Sequence, residues 1–503
     1  MNPPEIYSSF VPLYAVLISL AAVPLILLSS KKPNLREFWT VAAGIVKFTL
    51  VLSLLPNALL NKTAEINILE ISPGIELSLR ADPFGVFFAL IASGLWIFTS
   101  FFSIGYMRGE HSHKQTRYFA SFAVCLSATI GIAFSANILT FIVFYEILTI
   151  ATYPLVIHNE NEEAIRAGRK YLLYTLTAGL SLIAAATVTY HLLHTLDFAA
   201  GGMFKEIALS PTTARVLFIL FLGGVGVKAS IMPLHSWLPT AMAAPTPVSA
   251  LLHAVAVVKS GVFGVIRVVG FVFGPALMRE FGLNIILVTF AGFTIIAASL
   301  LALKQDNLKR RLAYSTVGHL SYIVLGAGLL SAAAFSGAMM HIAFHATMKI
   351  TMFFCAGAIA VNLHKKNISE LNGIGKVMPW TMGAFAVSAI GLSGLPPING
   401  FISKWYLGMG ALQADMLIPL FILIGSGLLN AAYFFPIVHR AFFRAADDPQ
   451  KLLQHREASP FMVVPLVITA ILSVLFGIYP DLFFKFYHLA IQATANILGG
   501  LGL

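Results

Sequence analysis

The chain alternates long apolar runs, most of about twenty residues or more, with short polar connections. A helix needs about 20 apolar residues to cross a hydrocarbon core, and on that measure the pattern predicts about fourteen spans. Seven lie near 10–29, 39–60, 84–107, 117–135, 137–157, 169–192 and 213–232. Seven more lie near 245–270, 283–303, 312–330, 335–361, 379–410, 416–439 and 460–480. The final apolar tail, 482–503, is rich in glycine and is assigned no span. The expected fold is therefore an all-α polytopic membrane protein. The first run, Phe10 to Leu28, is long enough to span and has no basic segment before it, so it reads as a membrane helix and not as a cleavable signal.

Charge in the connections tests the count independently. With spans numbered from the N-terminus, the odd-numbered connections carry twenty Lys and Arg, among them Arg108, Arg169, Arg310, Lys366 and Arg440. The even-numbered connections and the C-terminal end carry six: Lys62, Arg80, Lys205, Arg215, Arg279 and Lys485. Cytoplasmic loops are enriched in Lys and Arg, so the odd connections are expected in the cytoplasm and both termini outside a cell (cytoplasmic) membrane. A miscounted span would have scrambled this alternation.

Composition agrees. Of 503 residues, 58% are hydrophobic and 11% charged, against about 25% charged in a soluble domain. The net charge of +11 does not suggest nucleic acid, because the cations sit in short loops and not on a soluble domain. Cys125 and Cys355 offer neither a disulfide framework nor cluster ligation. Gly223, Gly224 and Gly226 follow no strand, so they read as close helix packing and not as a nucleotide fingerprint. No cofactor, metal centre, redox site or hydrolytic site is signalled.

Six cations remain inside the predicted spans: Lys47, Lys228, Lys259, Arg267, Lys349 and Lys404. Glu146 is the one acid deep in a span, while Asp82 and Asp415 fall near predicted ends. Each such charge at mid-membrane costs about 2.5–3.5 kcal/mol or more, so a compensating role is expected. For Glu146 the plain alternative is a structural ion pair that fixes helix register. The functional reading is a carboxylate that sets the proton affinity of a partner lysine. Pro233 follows Lys228 closely, and Pro396 and Pro397 precede Lys404. Proline removes a backbone donor, so the seventh and twelfth spans are predicted to be broken, as helices lining membrane cavities can be.

His253 and Lys259 share the eighth span but not a helix face, so a link between them needs water or another helix. His341, His345 and Lys349 are spaced by four and stack over about 12 Å of one face. Without acidic or cysteine partners nearby they suit a proton wire better than a metal site. Two broken, lysine-bearing spans five helices apart predict two five-helix repeats, spans 4–8 and 9–13, inverted because the count is odd. The corresponding divisions are 1–110 (first three helices), 111–272 and 273–445 (one half-channel each) and 446–503 (C-terminal helix and tail).

The core, roughly 80–440, resembles the proton-conducting antiporter-like family shared by Mrp-type Na⁺/H⁺ antiporters, respiratory complex I and membrane-bound hydrogenases. Four stretches carry the resemblance: Phe144–Tyr145–Glu146, the run from Lys228 to His253, Arg310–Arg311–Leu312–Ala313–Tyr314–Ser315–Thr316, and Leu395 to Lys404. It implies a 14-helix subunit in which Glu146 and Lys228 form the coupling pair. Lys259 and the His341–Lys349 stripe would relay charge, and Lys404 would be the terminal lysine of the second half-channel. Tyr153–Pro154–Leu155–Val156 and Ala167–Gly168–Arg169–Lys170–Tyr171 look most like the D subunit of Mrp antiporters. The expected partners are other membrane subunits, with protons as the transported ion and Na⁺ left open. The main alternative is the proton-pumping subunit of a complex I-like NADH:quinone oxidoreductase or of a membrane-bound hydrogenase. A structural membrane scaffold is the third reading.

Overall fold

The computed structural model describes residues 4–499. Twelve helices among them are long and apolar enough to cross a membrane, from Val11–Leu28 to Pro460–Ile478. The two remaining predicted positions are also helical. Leu308–Gly328 is a single helix that carries Lys309, Arg310 and Arg311 in its first turn. The twelfth position holds two 15-residue helices, Pro379–Ser393 and Asn399–Gln413, too short singly to meet the same measure. The seventh position is interrupted as well. Its helix Pro211–Lys228 stops at the lysine, and Pro233 lies in the turn before the short helix Trp237–Thr240.

Local chemistry sets the helix starts. Asp82, Asn137, Asn161, Ser210, Asn307 and Ser331 each accept a backbone N–H of the helix they precede, satisfying donors that the first turn leaves free. Of Gly223, Gly224 and Gly226, the tightly packed one is Gly224, where a Cβ would lie 2.3 Å from Leu182 Cγ.

Ala332–Leu363 is the central helix. It packs against Leu308–Gly328, both halves of the broken Pro379–Gln413 pair, Pro460–Ile478, Phe486–Leu498 and Pro83–Gly109. The eighth span, Thr246–Glu280, is buried from Thr246 to Pro275 and carries two π-wound stretches, Leu251–Val255 and Val268–Phe273. The C-terminal helix Phe486–Leu498 occupies most of the tail left unassigned from sequence, whose last four residues lie outside those described, as does the end Met1–Pro3.

The sequence pattern gave no hint of a small sheet between the second and third spans. Lys62–Ser72 pairs antiparallel with Ile75–Ala81 and parallel with Glu5–Ser8. Arg80, on Ile75–Ala81, donates to Glu65 (2.9 and 3.0 Å) and to Phe198 O (3.2 Å). Beside it, Arg267 grips Asp82 through two bonds of 2.5 and 2.8 Å. The Arg267 guanidinium lies 4.4–5.6 Å from the ring centres of Phe84, Phe198, Phe263 and Phe271. Aromatic faces attract a desolvated cation, so this charge is held by one carboxylate and an aromatic cage. At the opposite end, the exposed Glu160 carboxylate takes bonds from Lys114 (2.7 Å) and Arg117 (2.6 Å). Those bonds pull its carboxyl from 4.5 down to about 2.

Two predictions follow from these ion pairs. Asp82→Ala should lower stability by about 3 kcal/mol or more, because it strands a buried guanidinium. Adding Arg267→Leu should recover much of the loss. Thermal unfolding of the solubilised protein checks this, and equal losses in single and double variants would exclude the pair as the cause. The depressed Glu160 carboxyl stabilises the clasp fully above about pH 4.5 and loses that contribution as pH falls toward 2. Amide exchange at Gln115–Tyr118, corrected for intrinsic rates, should be flat from neutral pH to about 5 and rise below 4. Glu160→Gln should abolish that pH dependence.

Candidate functional site

Lys228 is the last residue of its helix, where unpaired carbonyls and the negative end of the helix dipole favour a cation. Its amine donates to Tyr145 O (2.6 Å) and lies 3.3 Å from the centre of the Tyr145 ring. The Tyr145 hydroxyl donates in turn to Gly224 O on the lysine's own helix (3.2 Å). Glu146 is the next residue along, half-buried, and its Oε1 has no hydrogen-bond partner among the described residues. No ion pair joins Glu146 to Lys228 among the described residues. The lysine is held by the backbone beside the carboxylate, not by the carboxylate itself.

The helix of Lys259 crosses the end of the Lys228 helix at Gly261, where a Cβ would come 2.1 Å from Ala229 N. From there the Lys259 amine reaches across to the central helix and donates to His345 Nδ1 (2.8 Å). His253 is fully buried on the first π-wound stretch and stacks on Phe353 at 4.7 Å, but neither ring nitrogen has a partner among the described residues. The structure thus puts Lys259 in contact with the stripe and leaves His253 apart from it.

The stripe divides. Lys349 turns to Ser315 Oγ (2.8 Å) and Leu312 O (3.3 Å) on the neighbouring helix, and the same Ser315 hydroxyl lies 2.9 Å from the Tyr433 hydroxyl. His341 and His345 face His319, a residue the sequence reading did not select. The His319 ring lies 5.2 Å from that of His345 and stacks on His341 at 5.4 Å. His319 Nδ1 meets His341 Nε2 at 3.2 Å, and His341 Nδ1 meets Ser403 Oγ at 2.8 Å. On its other side His319 Nε2 accepts from Asn430 Nδ2 (3.2 Å).

With the Asn430 nitrogen turned to His319 and both rings neutral, these contacts imply one set of tautomers. The Asn430 amide donates to His319 Nε2, so His319 carries its proton on Nδ1 and donates to His341 Nε2. His341 then carries its proton on Nδ1 and donates to Ser403, whose hydroxyl points at Gly400 O (3.3 Å). Lys404 is the neighbouring charge. Its amine donates to Leu392 O (2.5 Å) at the C-terminal end of the first half of the broken pair, and Asn430 donates to the same carbonyl (3.0 Å). Pro396 and Pro397 lie in the break that frees this carbonyl. Lys404 is thus set on the carbonyl end of an interrupted helix, whereas Lys228 ends such a helix but places its amine on Tyr145 O of the unbroken helix Ile138–Val156.

Two cavities open among residues of the connections. One of about 640 Å³ is lined by residues of odd-numbered connections, including Glu110, Asn161, Glu163, Lys309 and Lys366. The other, of about 210 Å³, is lined by Arg80, Asp82, Ser135, Phe198 and Arg267, at or beside even-numbered ones. Lys47 lies outside the line, fully buried, with its amine on Ser19. Among the described residues no cluster of three or more His, Cys, Asp or Glu could hold a metal ion.

Comparison with known proteins places this arrangement. Residues 135–429 match the family described as NADH:quinone oxidoreductase/Mrp antiporter, transmembrane. NADH-quinone oxidoreductase subunit N of Desulforudis audaxviator is 30% identical, over 81% of this chain and 83% of its own length. Hydrogenase-4 component B of Escherichia coli is 30% identical over 85% of the chain and 67% of its length. Na⁺/H⁺ antiporter subunit A1 of Staphylococcus aureus is 29% identical over 94% of the chain, which spans 60% of that subunit. The fold matches a chain of the Mrp complex from Dietzia sp. DQ12-45-1b, with a TM-score of 0.87, 19% identity and 97% of each chain covered. It matches a chain of an archaeal membrane-bound sulfane sulfur reductase equally well, at 24% identity over 97% of this chain and 98% of that one. The chain is a polytopic membrane protein and belongs to the NADH:quinone oxidoreductase/Mrp antiporter transmembrane family.

Proposed function

We propose that this chain is an ion-translocating subunit of a multi-subunit membrane complex, the D-type subunit of an Mrp-like monovalent cation/proton antiporter. The observation that carries the reading is the buried line of titratable groups. Lys259 contacts His345, His345 packs on His319, His319 bonds His341, and Lys404 shares a carbonyl with the amide that holds His319. A packing scaffold has no use for such a series. In this reading Glu146 and Lys228 are the coupling pair, His253 and Lys349 are side stations, and Lys404 is the terminal lysine.

The same reading has fourteen spans in two inverted five-helix repeats, 111–272 and 273–445, with helices 1–110 before them and 446–503 after. It is supported by the two broken lysine helices and by the sorting of odd and even connections to different cavities. The basic connections then face the cytoplasm of a cell membrane, with both termini outside. The likeness to multi-subunit Mrp and respiratory assemblies supports other membrane subunits as partners. One observation favours a second reading, a proton-pumping subunit of a complex I-like oxidoreductase or hydrogenase. The NADH-quinone oxidoreductase relative matches over 83% of its length, against 60% for the antiporter subunit.

Purification with native partners separates the two. Small multi-helix antiporter subunits are expected to co-purify, and iron–sulfur or hydrogenase subunits in their place would establish the second reading. Glu146→Gln and Lys228→Ala should each leave assembly intact and abolish cation-driven or redox-driven pH changes in sealed vesicles. Full transport by both variants would refute ion movement along this line. His319→Phe keeps a ring but removes both nitrogens, and should slow transport by about 10²-fold, the usual worth of a positioned proton-transfer group. An unchanged rate would exclude a path through His319.

A further inference from the structure

The helix Glu162–Leu193 runs against the Glu146 carboxylate, and the closest approach is at Gly179. A Cβ there would lie 2.5 Å from Glu146 Oε1, 2.8 Å from Cδ and 3.3 Å from Oε2. Real Cβ atoms do not approach neighbours at the first of these distances, so the carboxylate occupies the space that any other residue would fill. The surrounding sequence gives no helical reason for the glycine. It sits mid-helix among Thr175, Ala178, Leu182 and Ala185, all buried, where glycine is destabilising relative to alanine. The helix has given up backbone stability to seat a carboxylate whose Oε1 is otherwise unpartnered among the described residues.

We propose that Gly179 is the positioning residue for Glu146. The bare backbone at this point sets how closely the carboxylate lies to the Lys228 amine, and substitution displaces the acid without touching either charged group. The inference rests on Glu146 as a proton-carrying group. The other titratable groups that bear on the pair are Tyr145 on the same helix as Glu146, Tyr171 on the helix of Gly179, and Cys125 beside Lys228. None of them occupies the space at position 179.

The test uses the assembled complex in sealed vesicles and, in parallel, purified protein. Gly179→Ala should cut the transport rate about tenfold and move its pH profile by about one unit, the scale on which a nearby charge acts. Glu146→Asp withdraws the carboxylate by one methylene, so Gly179→Ala with Glu146→Asp should transport faster than Gly179→Ala alone. Gly425→Ala, at a helical glycine with no atom within 4 Å of an added Cβ, should transport normally. The second arm does not depend on transport. Gly179→Ala should lower the melting temperature or assembly yield when Glu146 is present, and in a Glu146→Ala background should cause no loss and raise the melting temperature if it has any effect. Equal losses in both backgrounds would overturn the proposal. So would a wild-type rate and profile for Gly179→Ala in preparations where Glu146→Gln is inactive. If Glu146→Gln itself transports normally, the functional reading falls, and the melting comparison still decides whether Gly179 seats the carboxylate.

Discussion

A row of lysine amines held in an apolar interior with almost no carboxylates beside them is the constraint on which this structure depends. Transfer of an unpaired charge into such surroundings is expensive, and here the compensation comes chiefly from backbone. Lys228 rests on Tyr145 O, Lys404 on Leu392 O, and Lys349 on Leu312 O and a serine hydroxyl. A carbonyl carries only a partial charge. It can hold an amine in place and still release its proton, which a full ion pair would resist. Where the protein needs a charge fixed, as at Arg267, it supplies the carboxylate of Asp82 and a ring of phenylalanines.

The break beside Leu392 serves the same need. An intact helix consumes its carbonyls in its own ladder, whereas an interrupted one exposes several at each C-terminal end, aligned with the negative end of its dipole. Interruption costs stability in lipid unless the freed groups find partners. Leu392 O finds two, the Lys404 amine and the Asn430 amide. At the other break, Trp237 Nε1 donates to Val227 O (2.8 Å) while Lys228 turns to the facing helix.

Much of this was legible in the sequence because the relevant period is long and the chemistry is sparse. Apolar runs of twenty residues with one lysine each stand out, and a spacing of four puts His341, His345 and Lys349 on one helix face. His319 did not stand out because it is the one histidine on its helix, and nothing local says that the helix packs against the stripe. The signal that could have found it is the set Ser315, His319 and Tyr322, polar positions at intervals of four and three on one face of its helix. The division of the stripe, with Lys349 leaving the histidines for Ser315, depends on side-chain reach and was not available from spacing. The sheet was missed for a different reason. Its strands of 4 to 11 residues fall below a twenty-residue window, and the alternation Ile66–Asn67–Ile68 breaks at Leu69, where the ladder itself shifts register.

Asn430 gives the histidine series a direction. Its oxygen takes the Tyr433 hydroxyl while its nitrogen donates to Leu392 O and to His319 Nε2, so the amide cannot turn over without losing these partners. An amide nitrogen has no lone pair to offer a proton, which closes the Nε2 side of His319 as an exit in this arrangement. A proton on His319 must therefore leave through Nδ1 to His341 or arrive by rotation toward His345, whose Nε2 lacks a partner among the described residues. Under the proposed function, traffic between the Lys259 side and the Lys404 side would require the turning of this one imidazole. Lys404 and the amide that orients His319 meet at a single carbonyl, Leu392 O.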